Sequence, residues 1–216
     1  MIALIPARSG SKGIPDKNII KLGDRHLLEW SVSAAKQSGL FPVVSTDSEK
    51  YAMIAQCQVI FRPPELCIDT STDMDYLKHA FSVLPDDILV LLRPTTPFRH
   101  PERILEAIKM FESEPYATSL RSAHELREPP HKMFTLQGKW FRPFIKNGHR
   151  ETFNLPRQML PKVYNPNGYV DIVKRETIEL TGTVYGIHIL PFITEEVVEI
   201  DRQEDLDYAR YLVNIR

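Results

Sequence analysis

Residues 7–18 read Ala7-Arg-Ser-Gly-Ser-Lys-Gly-Ile-Pro-Asp-Lys-Asn18 and follow directly on the apolar run Met1-Ile-Ala-Leu-Ile-Pro6. Three cations (Arg8, Lys12, Lys17), two serines and two glycines therefore leave the C-terminal end of a first strand. In an open α/β sheet, ligands bind at that edge. Glycine lets successive N–H groups curl onto an anion, while lysine and arginine add charge and forked donors. The spacing suits a polyphosphate better than a single carboxylate. A plain solvated turn has the same composition, and the local residues leave both readings open. The stretch is not a P-loop, because Gly-x-x-x-x-Gly-Lys-[Ser/Thr] cannot be placed on it. Nor is it a dinucleotide fingerprint, since Arg8 stands where a glycine two residues before Gly10 is needed.

Downstream, Leu27, Leu28, Trp30, Ser31, Ala34 and Ala35 recur at helical spacing, and Gly39 supplies a stop. Residues 41–47 predict a strand, Ser48 can cap a helix over 49–57, and a short strand follows at 59–61. Strand, helix, strand, helix, strand is the pattern of a parallel sheet with right-handed crossovers. A polar segment, 62–73, leads into a helix near 74–84. Residues 87–92 (Asp-Ile-Leu-Val-Leu-Leu) form the most apolar strand and are expected at the sheet centre. Pro101 opens a helix to about 112. Further strands are expected at 116–122, 168–173, 183–190 and 195–200, with helices at 176–180 and 202–212. The stretch 124–166 breaks this rhythm with scattered prolines and the aromatics Phe134, Trp140, Phe141, Phe144 and Phe153. That is too aromatic for a solvated tail, and an ordered arm packing on the domain or on a second subunit is expected.

The bulk numbers narrow the classes. At 216 residues a single α/β domain, 1–216, with 124–166 as an inserted arm, is expected. Twenty-seven basic residues against 28 acidic ones give a net charge of −1, which argues against a nucleic-acid surface. Cys57 and Cys67 read as reduced, buried small hydrophobes. No charged-then-apolar leader stands before the first strand, and no run approaches the ~20 apolar residues that span a bilayer. A soluble, cytoplasmic protein without membrane partners is expected. His124, His131, His149 and His188 lack metal spacing, and His26, His79 and His100 read as surface or loop residues. No Gly-x-Ser-x-Gly elbow exists and neither cysteine has a base beside it, so covalent acyl chemistry is disfavoured.

Glu199-Ile-Asp201 is the metal candidate. Residues i and i+2 of a strand share a face, so both carboxylates could reach one cation. Mg²⁺ typically takes one or two carboxylates plus phosphates and water. Asp201 is equally well placed to cap the last helix, and spacing leaves that alternative standing.

Taken together, Ile5-Pro-Ala-Arg-Ser-Gly-Ser-Lys-Gly-Ile-Pro-Asp-Lys-Asn18 closely resembles the nucleotide-binding signature of the acylneuraminate cytidylyltransferases. That family includes enzymes acting on legionaminic, pseudaminic and related 2-keto-3-deoxy acids. In order along the chain, Val44-Ser-Thr-Asp47, Arg62-Pro-Pro-Glu-Leu66 with Asp69-Thr70, and Leu92-Arg-Pro-Thr-Thr-Pro-Phe-Arg99 continue the match. Pro156-Arg-Gln158, Asn165-Pro-Asn-Gly168, and Ile200-Asp201 before Glu204-Asp-Leu206 complete it, so it spans nearly the whole chain. The resemblance implies a Rossmann-like nucleotidyltransferase fold, mainly parallel and flanked by helices. It also implies a homodimer whose protruding arms cross to close the partner's sugar pocket. The implied reaction joins CTP to a nine-carbon or related sugar acid with Mg²⁺, giving the CMP-sugar and pyrophosphate.

Carried over by position, Arg8 and Lys17 resemble the cations on the triphosphate, with Ala7, Ser11 and Lys12 completing the cradle. Asn18, Arg62 and Ser71 match the ribose and cytosine positions, and Asp201 the metal position. Arg157 and Gln158 match the arm motif that meets the sugar acid, and Lys132 and Asn167 are placed at the sugar too. Three positions depart from the pattern. Sialic-acid enzymes usually have glutamine where Arg93 stands and an aromatic where Asp171 stands. Arg93 and Asp171 then either neutralise each other or recognise a different acid. Glu199 occupies a position more often aspartate, so its metal contact is expected to be longer or water-mediated.

Overall fold

A computed structural model describes residues 1–145 and 151–215. His149 and part of the predicted arm lie outside the described residues. In chain order the elements begin with β1 (Ile2–Pro6), β2 (Lys21–Leu22), β3 (Arg25–His26), α1 (Leu27–Gln37), β4 (Phe41–Thr46), α2 (Glu49–Ala55) and β5 (Gln58–Phe61). Then come α3 (Asp73–Val83), β6 (Ile88–Leu91), α4 (Pro101–Glu112), β7 (Ser119–Glu125), β8 (Phe134–Gln137) and β9 (Trp140–Pro143). The last are β10 (Tyr164–Lys174), α5 (Arg175–Thr181), β11 (Ile189–Ile193) and α6 (Gln203–Asn214).

Seven strands form one sheet in the order β11-β7-β10-β6-β1-β4-β5. All neighbours run parallel except β10, which is antiparallel to both β6 and β7. β6, the most apolar strand, lies fourth and therefore central. Strand alternation divides the core between the two faces. Ala3, Ile5, Val44, Val90 and Ile172 pack with Leu28, Val32, Ile104 and Phe111 of α1 and α4. Ile2, Leu4, Val43, Leu89 and Val173 pack on the other face with Leu77, Ala80, Phe81 and Ile178 of α3 and α5. β4 and β6 flank β1 on opposite sides, so the chain's path reverses beside β1. A crevice opens outside the carboxyl ends of strands at such a switch point.

Several expected boundaries move. The strand expected at 116–122 runs Ser119–Glu125, and the one expected at 168–173 extends back to Tyr164 as β10. No strand forms over 183–188, because Gly182 and Gly186 adopt positive φ (65° and 70°) and only Ile189–Ile193 reaches β7. Residues 195–200 pair with no strand. Their apolar side chains Val198 and Ile200 instead pack on Ile14, Leu22, Leu27 and Leu206, strapping the opening loop to α6. The antiparallel pairs β2–β3 and β8–β9 are additional, the second making the arm a β-excursion. His26 is a cap rather than a bystander: its side chain and Glu29 close the start of α1 reciprocally. Cys57 and Cys67 are free thiols, only partly buried. Among the described residues no helix is long and apolar enough to cross a membrane.

Candidate nucleotide and acceptor cleft

The loop after β1 and the loop after β6 meet at the switch point and wall a cleft of about 280 Å³. Its lining includes Arg8, Ser11, Lys12, Lys17, Asn18, Arg62, Ser71 and Arg93. The structure thus gathers the cations of the opening loop with Arg62 and Ser71 of the segment 62–73 and Arg93 of the loop after β6. Gly10 takes φ +68°, a conformation open to glycine, and lets the loop turn.

Each cation of the opening loop is already matched to a carboxylate. Asp69 receives Arg8 Nη2 at 3.3 Å on one oxygen and Lys12 Nζ at 2.6 Å on the other. The Lys12 bond, ahead of the other contributions, holds the Asp69 carboxyl below its ordinary pKa. Lys17 Nζ lies 2.6 Å from Asp201 Oδ1. The loop's backbone is fixed separately: Asp47, at the end of β4, accepts Ser9 N–H at 2.7 Å and Ser9 Oγ at 2.6 Å. Burial works to raise the Asp47 pKa, but the two Ser9 bonds, its own backbone N–H and the Arg62 charge together outweigh it and leave the carboxyl below its usual range. Asn18 is buried and its amide donates to the Arg8 carbonyl at 3.0 Å. Arg62 is buried too, bonded to Ser45 Oγ and Ser45 O, with its guanidinium 5.0 Å from the Tyr76 ring centroid. Desolvation pulls its pKa down. Ser71 Oγ is buried in the wall without a partner. Ala7 contributes no side chain to the cleft. It is fully buried in the core, with its N–H on the Ser45 carbonyl at 2.9 Å.

At the other end Arg93 bridges two acids, Nη1 to Asp171 Oδ2 and Nη2 to Asp73 Oδ2, both at 2.6 Å. Tyr185 hydroxyl donates to the same Asp171 oxygen at 3.0 Å. Asp171 is 1 % exposed, so it serves Arg93 rather than the open cleft. Burial opposes the Arg93 charge, but Tyr76, Asp171 and Asp73 more than offset it and raise its pKa. Behind this group Arg99, also buried, donates to the carbonyls of Arg93, Thr96, Gly168 and Tyr169 and to Ser31 Oγ. It welds the loop after β6 to β10. Asn167 is buried, its amide Nδ2 donating to Thr194 Oγ1 and its Oδ1 accepting Tyr169 N–H, and it does not line the cleft.

A family model described as Cytidylyltransferase matches residues 2–212. The chain belongs to the cytidylyltransferase family. It is 31% identical over 218 residues to N-acylneuraminate cytidylyltransferase of Escherichia coli O18:K1:H7 (strain RS218 / NMEC), covering 96% of this chain and 50% of that protein. It is 36% identical over 184 residues to N-acylneuraminate cytidylyltransferase of Streptococcus agalactiae serotype III (strain NEM316), covering 82% and 44%. The chain thus spans about half the length of these curated relatives. Post-translational flagellin modification protein B of Campylobacter coli is 30% identical over 221 residues, 96% of this chain and 92% of that one. Among solved structures, CMP:2-keto-3-deoxy-manno-octonic acid synthetase complexed with CTP superposes with a TM-score of 0.75 at 15% identity, covering 99% and 98%. That likeness concerns the fold.

Within this cytidylyltransferase-family fold, the remaining predicted residues are dispersed. Arg157 and Gln158 line a second cavity of about 400 Å³ with Glu125, Leu126 and Lys162, sharing no lining residue with the first. Arg157 Nη2 donates to the Leu126 carbonyl at 3.2 Å and faces Glu125 at 3.7 Å. Lys132 sits exposed on the same arm. Glu199 and Asp201 do not share a strand face, because 195–200 is not a strand. Asp201 is not the helix cap either: Arg202 takes that position, and Asp205 Oδ2 accepts the N–H groups of both Asp201 and Arg202. Partial desolvation and then the nearby Asp201 charge raise the Glu199 pKa. Glu199 and Asp201 are hard oxygen donors and Glu199 feels the Asp201 charge, so the pair has the chemistry of a Mg²⁺ site that phosphate and water would complete. No group of three or more such side chains occurs among the described residues. Sequence reading missed Asp73 as a partner of Arg93, although Asp73 stands at the first turn of a legible helix.

Proposed function

We propose that this chain transfers CMP from CTP to the anomeric C2 hydroxyl of a sialic-acid-like 2-keto-3-deoxy sugar acid, with release of pyrophosphate. The observation that carries this reading is the convergence of Arg8, Ser11, Lys12 and Lys17 with Arg62, Ser71 and Arg93 on one cleft at the switch point. Arg8, Lys12 and Lys17 would receive the triphosphate, exchanging Asp69 and Asp201 for phosphate oxygens. Arg62 and Ser71 would hold the nucleoside. As the new P–O bond forms at the α-phosphorus, the hydroxyl passes its proton to water and the α-phosphorus–bridging-oxygen bond breaks, releasing pyrophosphate. Negative charge builds on pyrophosphate beside the same cations. Positioning and electrostatics carry such a reaction. Asp201 and Glu199 would hold Mg²⁺, which supplies charge neutralisation on the phosphates.

Arg157, Gln158 and Lys132 lie away from this cleft in one chain, which supports their serving the sugar pocket of a second subunit through an exchanged arm. Exposed Leu136, Trp140, Phe141 and Phe144 on that arm fit burial against a partner. We place the enzyme in the cytoplasm, where CTP is available. Sedimentation tests the dimer, and a monomer at all concentrations overturns the arm assignment.

The reaction is tested by pyrophosphate release with four nucleoside triphosphates crossed against sialic, legionaminic, pseudaminic and Kdo acids. Release is expected with CTP and a nine-carbon acid. No release with any acid overturns the reading, and release with Kdo alone moves the acceptor to the eight-carbon class.

A further inference from the structure

Asp73 links the two ends of the cleft. It opens α3, and its Oδ2 accepts Arg93 Nη2 while Asp171 takes the other arm of the same guanidinium. It also ends the segment 62–73 that forms the nucleotide side. Asp69 in that segment is shared by Arg8 and Lys12, and Ser71 Oγ is buried in the cleft wall with no partner. A turn, Ser71 N–H to the Ile68 carbonyl at 3.0 Å, joins the two. One turn further along α3, Tyr76 lies beneath Arg62.

A polyphosphate arriving at Arg8 and Lys12 competes with Asp69 for both cations. A nucleoside donor or hydroxyl gives Ser71 Oγ the partner it lacks. Both events act on the few residues that precede Asp73, and Asp73 carries them to Arg93 by a direct charged hydrogen bond. We propose that Asp73 is the positioning residue through which bound nucleotide orders Arg93, and with it the acceptor end of the cleft. The inference rests on the cytidylyltransferase reading and adds to it the residue that couples the two ends of the cleft.

Hydrogen exchange on the full chain with CTP and EDTA tests this without turnover. In the parent protein CTP should protect both 7–18 and the loop 93–96. In Asp73→Ala the first protection persists, while slowing at 93–96 falls from about five-fold or more to less than about two-fold. Asp73→Asn, which keeps an oxygen for Arg93, should fall between, and it carries the test if the alanine variant loses its thermal transition. Asp75→Ala removes the carboxylate that bonds Thr72 N–H at the same helix start, yet should leave protection at 93–96 intact. In steady state the acceptor KM of Asp73→Ala should rise about ten-fold more than the CTP KM. Unchanged protection at 93–96 in the Asp73 variants, or the same loss in Asp75→Ala, overturns the proposal. Failure of CTP to protect 7–18 in the parent protein overturns the nucleotide reading itself and the proposal with it.

Discussion

A β-carbon placed on Gly13 would stand 2.7 Å from the Asp201 carbonyl oxygen. The opening loop and the segment before α6 therefore touch backbone to backbone, and only glycine permits it. Gly13→Ala must push the two apart, at about 1–3 kcal/mol. We expect a lowered melting temperature together with at least about ten-fold weaker CTP binding in titration calorimetry. An alanine variant that binds CTP normally would show that the contact is dispensable.

Asp201 itself is mostly exposed, and its bond to Lys17 contributes little to stability in such a setting, at most about 1 kcal/mol. Asp201→Ala should melt nearly as the parent does while losing about 100-fold of Mg²⁺-dependent turnover. Unchanged turnover across a Mg²⁺ titration would remove Asp201 from the metal site.

The Ser9–Asp47 clasp predicts a pH signature. The folded Asp47 carboxyl lies below its ordinary pKa, so its contribution is present above that ordinary value and fades as pH falls through the folded one. Asp47→Asn should cost about 1–2 kcal/mol in urea unfolding at pH 7. The gap to the parent should narrow once pH drops below about 4. A gap that stays constant down to pH 3 would contradict the role of the ionised form.

Arg99 spreads its donors over four carbonyls and a hydroxyl, a geometry that the single ammonium of lysine cannot reproduce. Arg99→Lys should destabilise the fold by about 3 kcal/mol or more, because buried carbonyls are left unmatched. Denaturant titration reads this directly, and a loss under about 1 kcal/mol would mean that water replaces the guanidinium.

The alternating βαβ portion was legible because Ile2–Pro6, Phe41–Thr46 and Ile88–Leu91 are short apolar runs separated by periodic helices. The cation-rich wall of the cleft was legible for a similar reason: its glycines and cations are contiguous. Arg99 was not, since its partners Gly168 and Tyr169 lie about 70 residues away and are backbone atoms, which leave no trace in residue type. Residues 195–200 misled because Val198 and Ile200 satisfy burial under α6 without a ladder. Asp73 escaped notice because an acid at a helix start already has a local explanation in capping and the helix dipole.

β10 runs against both of its neighbours and arrives late in the chain. During synthesis, β1, β4, β5 and β6 can pair before β10 exists, so the Ser9–Asp47 clasp and the Arg8 and Lys12 pairs to Asp69 can form from early-made chain, whereas Gly13 and Lys17 wait for Asp201. Arg99 must wait for the carbonyls that β10 brings, and Arg93 for Asp171. Contacts of such long sequence separation form slowly. Both ends of the cleft therefore mature last, the Arg93 end with β10 and the Gly13–Lys17 end with Asp201, so a chain halted before residue 201 would hold a nearly complete sheet around an unfinished cleft.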